Sequence, residues 1–213
     1  MLIEFFRSFL PESPAYMFMW ILLGMFIWML GISIERFIAI WGRANVNANR
    51  FMMEIRKMVQ AGDYKKAISL SRAAGKRALP RVILAALMET QRQELIDYRA
   101  VQNAIDEATL EVIPELQRYT PYLAMIGNVS TLIGLMGTIF GLIISFRAAG
   151  GAGAGTGELA QGISVAMMTT LSGLMVAIPA IISHSLIISK TNRIIEEIDE
   201  HAVKLIHLLT GGM

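Results

Sequence analysis

Hydroxyl and amide side chains lie toward the middle of long apolar stretches of this chain, and these residue types could do chemistry there. They are Asn128, Ser130, Thr131, Thr138, Thr169, Thr170 and Ser172. Their oxygens can line a path, orient water or coordinate a cation, but they do not hold and release a proton near neutral pH. The alternative is that they only hydrogen-bond between helices or back onto their own helix, because such contacts are common among membrane helices and individually weak.

None of the apolar stretches contains Asp, Glu, Lys or Arg. An ionisable side chain at membrane depth normally marks a proton or ion path. If this protein moves ions, the titrating group must therefore come from another chain. Intramembrane proteolysis is poorly supported, because the serines lack a plausible base at the same depth. The chain has no cysteine, which excludes a disulfide and a thiolate metal site. We predict that the protein is not an enzyme and has no cofactor or metal site.

Three stretches are long and apolar enough to cross a bilayer. The most informative is Tyr122–Phe146, and the other two are Ala15–Ile34 and Gly162–Ile188. At about 1.5 Å per residue, a helix over any of them spans a hydrocarbon core of roughly 30 Å. Between Glu35 and Arg118 the sequence has 14 Lys and Arg against 10 Asp and Glu. Because basic excess marks the cytoplasmic side, we predict an outside N-terminus and a cytoplasmic C-terminus.

The predicted organisation alternates membrane spans with polar segments. It comprises a periplasmic lead (1–14), a first span (15–34), a cytoplasmic helical domain (35–120), a second span (121–146), a periplasmic loop (147–160), a third span (161–189) and a cytoplasmic C-terminal helix (190–213). We predict an all-α membrane protein. The amphipathic patterns of the cytoplasmic domain indicate a helical bundle, which we favour over a separate catalytic domain.

Small residues recur at three- and four-residue steps along the second and third spans, so they share one face of each helix. The residues predicted to pack helices together are Gly134, Gly137, Gly141, Gly173, Ala177 and Pro179. Small residues let membrane helices approach closely, while Pro179 removes a backbone hydrogen bond and is expected to bend the third span. His184, near the inner end of that span, fits an interface residue better than a proton relay.

Local signals predict where several other elements begin and end. Asp63 is expected to cap a helix that Gly75 ends, and Pro80 to open the next helix. Pro114 should kink its helix or mark the join to the second span. The glycine-rich segment Gly150–Gly157 lacks the Gly-Lys-Ser/Thr ending of a phosphate loop and follows no strand, so it is predicted to be an external turn, and Glu158 to favour the next helix start electrostatically.

Two membrane motifs resemble a known family. They are Leu135-Met136-Gly137-Thr138-Ile139-Phe140-Gly141 and Thr169-Thr170-Leu171-Ser172-Gly173-Leu174-Met175-Val176-Ala177-Ile178-Pro179-Ala180. Together with Ile34-Glu35-Arg36-Phe37 after the first span, they resemble the ExbB/TolQ/MotA ion-channel family, and its ExbB-like members most of all. The resemblance covers nearly the whole chain.

The resemblance implies a homopentamer around two copies of a single-span ExbD/TolR-like partner, whose intramembrane aspartate is protonated and released as ions flow. It implies a bacterial inner-membrane motor that energises periplasmic or outer-membrane processes such as transport. Thr138 and Thr170 match the family's two pathway threonines. Thr169, Thr131, Asn128 and Ser172 complete the predicted ion pathway.

Two positions depart from the family pattern. Val165 replaces a glutamate of the third span, and Thr131, beside Asn128, replaces a proline of the second. Fewer carboxylates and more oxygen ligands would suit sodium. A sodium-driven stator is therefore an alternative to the proton-driven stator that the family resemblance favours. A non-conducting scaffold that only organises a partner in the membrane is a third possibility.

Overall fold

The computed structural model describes residues 8–11, 15–44, 47–75, 77–92, 97–150 and 156–209. All regular structure among these residues is helical, as predicted. The helices are α1 (Tyr16–Phe37), which continues as a wider π-helix (Ile38–Ala44), α2 (Ala48–Gln60), α3 (Tyr64–Ala73), α4 (Ala78–Arg92), α5 (Tyr98–Gln117), α6 (Thr120–Ala149) and α7 (Thr156–Leu209).

Three of the helices are long and apolar enough to cross a membrane, and they are α1, α6 and α7. This confirms the predicted number of spans, while the orientation across the membrane and the pentamer stay predictions. The predicted lead (1–14) lies largely outside the described residues, and so does most of the Gly150–Gly157 turn. The side chain of Glu158 is likewise not described.

The chain divides into two compact units, of which the first is made of the apolar helices. It covers Met1–Glu35 and Tyr119–Leu186. Ring contacts fix the direction of α1 against α6, since Phe18 lies 5.5 Å from Phe140 and Trp28 lies 6.4 Å from Tyr122, centroid to centroid. The residue near the start of α1 thus meets one far along α6, so the two helices are antiparallel.

The second unit, Arg36–Arg118 with Ile187–Met213, holds the shorter helices and the end of α7. Its core is a set of aliphatic side chains at helical spacing. They include Ile55 and Val59 of α2, Val82, Ile83 and Leu87 of α4, Val101 and Ile105 of α5, and Ile187, Ile194, Ile198 and Leu205 of α7. The α7 residues recur at helical spacing and form one buried stripe along the C-terminal part of that helix.

The local signals in the second unit are only partly right. Gly62 and Gly75 have φ of +75° and +72° and end α2 and α3, a conformation that other residues rarely adopt. Asp63 precedes α3, but its carboxylate makes no capping bond and instead accepts from Lys66 Nζ at 2.7 Å. Asp63 is thus the N-cap residue of α3, as predicted, while its carboxylate pairs with Lys66 one turn away and does not bond to the helix backbone.

Both prolines inside helices leave the helix continuous. Pro114 lies within α5, which continues to Gln117 and has Arg118 as its C-cap; Tyr119, with φ of +63°, then precedes α6. The join to the second span is thus made at Arg118 and Tyr119 rather than at Pro114. Pro179 lies within α7, which runs unbroken for 54 residues.

Candidate functional site

A line of glycines joins α6 to α7, and we call it the glycine seam. It consists of Gly127, Gly134, Gly137 and Gly141 on α6 with Gly162 and Gly173 on α7. A Cβ added at Gly141 would contact Ala166, one at Gly137 would contact Thr169, and one at Gly127 would contact Ile181. Residues further along α6 therefore meet residues earlier in α7, so these helices also run antiparallel.

The closest approach within the seam is at Gly134 and Gly173. A Cβ built on Gly173 would lie 2.7 Å from the Ser130 carbonyl oxygen and 3.1 Å from Gly134 Cα. A Cβ built on Gly134 would lie 3.0 Å from the Thr169 carbonyl oxygen and 3.2 Å from Gly173 Cα. At both glycines, the nearest atoms are thus backbone atoms of the opposite helix, and only glycine allows two helices to approach this closely.

Thr169 is buried inside the seam. It has no exposed surface, and its hydroxyl donates to the carbonyl of Ala166 at 2.7 Å with a longer contact to the carbonyl of Gly134 at 3.3 Å. A Cβ at Gly137 would lie 2.7 Å from the Thr169 hydroxyl oxygen. In this arrangement Thr169 packs the two helices together.

Three other threonines lie along one edge of the seam, and we call them the threonine edge: Thr131, Thr138 and Thr170. Thr170 reaches across from α7, with its hydroxyl 3.3 Å from the Gly134 carbonyl oxygen. Thr131 and Thr138 lie three residues before and four after Gly134, on the same flank of α6. Thr131 is exposed, whereas Thr138 and Thr170 are half-buried.

The threonine edge lies near the middle of the apolar segment. Gly134 is the central residue of Tyr122–Phe146, roughly 20 Å along the helix from Thr120 at about 1.5 Å per residue. That depth corresponds to the centre of a hydrocarbon core of roughly 30 Å.

Each hydroxyl of the edge donates its proton to a helix carbonyl. Thr131 donates to Gly127 at 3.1 Å, Thr138 to Leu135 at 2.6 Å and Thr170 to Gly134. A hydroxyl has one proton and two lone pairs, so each oxygen keeps lone pairs for a further donor or a cation. The edge therefore presents acceptors at mid-depth, which suits a protonated acid, water or a metal ion.

The remaining predicted residues lie elsewhere. Asn128 is exposed on α6, further around the helix from the seam than Thr131 or Thr138. Ser172 is buried and donates to Met168 of its own helix at 2.8 Å. Ala177 is buried, whereas Pro179 is exposed. The structure thus brings together Thr131, Thr138 and Thr170, while the assignment of an ion pathway stays a prediction.

Sequence reasoning missed two groups. One is the Gly134 carbonyl, which the hydroxyls of Thr169 and Thr170 share; a backbone acceptor has no signature in residue types. The other is His201 in the second unit, only 7% exposed, whose pKa is lowered by burial, against the opposing effect of Glu200. Its position in the buried stripe of α7, three residues after Ile198, was the available signal.

The described residues contain no group of three or more His, Cys, Asp and Glu side chains arranged to hold a metal ion. The chemistry that the site offers is thus carried by hydroxyl and carbonyl oxygens.

Comparison with known proteins gives a family match over most of these elements. A model described as the MotA/TolQ/ExbB proton channel family matches residues 74–200, which include the whole glycine seam and the threonine edge. Since the match covers more than half of the chain, it bears directly on what the chain is.

Curated relatives carry ExbB and TolQ names. The biopolymer transport protein exbB1 of Vibrio cholerae is 38% identical over 96 residues, and the Tol-Pal system protein TolQ of Haemophilus influenzae 34% over 97. These alignments cover 43% and 45% of this chain, and 40% and 42% of those proteins. A putative biopolymer transport protein, ExbB-like 3 of Synechocystis, is 29% identical over 76% of this chain and 75% of its own length.

Proposed function

Because the chain belongs to the MotA/TolQ/ExbB proton channel family, we propose that it is the channel-forming subunit of a proton-driven motor in the bacterial inner membrane. The observation that carries the proposal is the threonine edge, a set of acceptor oxygens at mid-depth in spans that contain no acid of their own. Such a surface needs a carboxyl group supplied by a partner before it can pass protons.

The partner is a single-span ExbD/TolR-like protein with one intramembrane aspartate. When that aspartate is protonated, its O–H can donate to Thr138 or Thr170, whose own protons are already directed to helix carbonyls. When the aspartate is ionised, its carboxylate can only accept hydrogen bonds. Either a threonine hydroxyl must then rotate to donate to the carboxylate, or a water molecule must donate in its place. The two protonation states therefore interact differently with the edge, which is how ion flow would be coupled to movement.

The partner's helix and further copies of this chain would cover apolar surface that a single copy leaves exposed. Met136 and Met167 are 52% and 67% exposed on α6 and α7. Part of this surface contacts lipid in any membrane protein. The rest fits the homopentamer that we propose around the partner's helix pair, which energises transport or other processes at the periplasm and outer membrane.

Sodium is the second candidate for the coupling ion. Three hydroxyl oxygens and the Gly134 carbonyl lie along one edge, and hard cations bind oxygen ligands of this kind. A sodium-driven motor would use the same edge and the same partner. If neither ion moves, the protein is a non-conducting scaffold.

The test is ion flux in proteoliposomes that hold this protein together with the single-span protein encoded beside it. Proton and sodium entry are followed with ion-sensitive dyes, varying one gradient while the other is held at zero. We expect proton flux, lost in Thr138→Val and in Thr170→Val, because valine keeps the shape and removes the acceptor oxygen. Sodium flux instead would establish the alternative.

The matched control is Thr120→Val at the start of the same helix. Thr120 is buried and its hydroxyl has no partner among the described residues, so its loss breaks no bond at mid-depth. Flux should survive in this variant. Wild-type flux in both Thr138→Val and Thr170→Val, with assembly intact, would overturn the proposed role of the threonine edge.

A further inference from the structure

We propose that the turn between α3 and α4 binds the headgroups of anionic phospholipids, through Arg72 and Arg77. The sequence around this turn is unusual in its charge. The 25 residues from Tyr64 to Met88 contain six Lys and Arg and no Asp or Glu. No acid near in sequence is therefore available to neutralise the two arginines.

Both arginines are exposed on the second unit. Neither has an ion-pair partner within the parts of the chain that the structure describes. Arg72 lies in the last turn of α3, and the carbonyl of Arg77 accepts the Arg81 amide at the start of α4. Gly75, with φ of +72°, reverses the chain between them. The turn thus presents two exposed guanidinium groups, which suit phosphate recognition through paired hydrogen bonds.

Ion pairs locate this turn at a particular end of the helical bundle. The Arg81 guanidinium contacts Glu115 at 2.6 Å and Glu111 at 3.1 Å, which joins the first turn of α4 to the last turns of α5. Both acids are thus paired with Arg81.

The same end of the bundle is connected to the apolar helices by short links. Helix α5 ends at Gln117 and the apolar helix α6 begins at Thr120. At the other connection, α2 begins four residues after Ala44, a link of at most about 14 Å. Arg77 precedes Arg81 by four residues, about 6 Å along a helix. Within the second unit, the basic turn therefore lies at the end where α5 stops, and the apolar helix α6 begins only three residues later in the sequence.

Anionic lipid is the occupant that this position favours. The cytoplasmic leaflet carries a negative surface potential that attracts basic segments close to a membrane span, and the attraction falls off within a Debye length of about 10 Å. A soluble acidic protein would be recognised equally well by cations at the opposite end of the bundle. Lys57 near the end of α2 and Lys65 near the start of α3 are exposed there, on either side of the Gly62 turn.

The experiment uses the full chain in nanodiscs of phosphatidylethanolamine with increasing phosphatidylglycerol. Because the sequence has no cysteine, Ala73→Cys carries one fluorophore at the exposed basic turn, and a trace lipid carries a quencher on its headgroup. We expect quenching that rises with phosphatidylglycerol and falls with added salt. Each arginine should lower the phosphatidylglycerol fraction needed for half-maximal quenching by about five-fold.

Two double variants with equal charge change decide the outcome. Arg72→Gln with Arg77→Gln should abolish most of the response, whereas Lys57→Gln with Lys65→Gln should keep it. Quenching independent of phosphatidylglycerol, or lost equally in both variants, would overturn the proposal. An acidic protein as the true partner would give the first of these results. Because no partner protein or ion flux is measured, the outcome is independent of the proposed motor function.

Discussion

The substitution Gly173→Ala tests the glycine seam most directly. The added Cβ would lie 2.7 Å from the Ser130 carbonyl oxygen, about 0.7 Å short of the 3.4 Å at which ordinary contact begins. Backbone atoms cannot turn away as a side chain can, so α6 and α7 must separate. A shift of that size would lengthen the contacts of Thr169 and Thr170 with the Gly134 carbonyl from 3.3 Å to about 4 Å, beyond hydrogen-bond distance.

These effects can be weighed against each other. Overpacking of this kind costs about 1–3 kcal/mol, and each lost interhelical hydroxyl contact about 0.6 kcal/mol in a membrane. Alanine in place of glycine returns about 1 kcal/mol of helix propensity. We therefore expect Gly173→Ala to lower the free energy of unfolding by about 1–3 kcal/mol, measured by reversible SDS titration in mixed micelles and followed by circular dichroism.

Gly24→Ala is the matched control, because the same methyl group is added to an apolar helix where nothing lies within 4 Å of the new Cβ. It should be neutral or stabilise by up to about 1 kcal/mol. If Gly173→Ala unfolds at the wild-type SDS fraction, or if both variants are destabilised alike, the close backbone contact described for the seam does not exist.

Two further predictions concern buried polar groups of the second unit. The Thr191 hydroxyl is buried without a partner among the described residues, so Thr191→Val should raise the free energy of unfolding by about 1 kcal/mol. Thr90→Val removes a 2.9 Å bond to the Ala86 carbonyl and should lower the free energy of unfolding. Chemical denaturation measures both values, and equal shifts in the two variants would contradict this. Burial lowers the pKa of His201 from 6.5, so its neutral form is favoured in the fold, and the stability present above pH 6.5 should be lost as pH falls through the lowered pKa. Thermal midpoints measured against pH should show this loss in the wild type and less of it in His201→Leu, and identical profiles would rule it out.

Much of the fold was predictable because its signals are strong and local. Charge-free stretches of membrane length identify α1, α6 and α7, and glycines at helical spacing identify the faces that pack. Gly75 predicts the end of α3 because the chain needs positive φ there. Predictions that depended on the hydrogen bond of a single polar side chain were less reliable than those based on apolar stretches and glycines. Asp63 was expected to cap α3, but an ion pair with Lys66 was available to the same carboxylate.

The sequence could not separate the roles of the neighbouring threonines on α7. Thr169 and Thr170 differ by about 100° around the helix axis, and either could face α6 if only the spacing of small residues is considered. The contacts of Gly134 and Gly137 with Thr169 decide the rotation, so Thr169 is enclosed and Thr170 is left at the edge. That decision depends on the distance between two backbones, which residue types constrain only loosely.

The glycine seam and the threonine edge are therefore one structural device. Thr170 reaches the Gly134 carbonyl only because two glycines let the backbones approach to near contact. Its hydroxyl proton is thereby directed to that carbonyl, and its lone pairs stay available to another donor. A substitution in the seam should change the acceptor properties of the edge without touching any threonine. In the proposed motor, Gly173→Ala should thus reduce ion flux as well as stability, while Gly24→Ala should change neither by much.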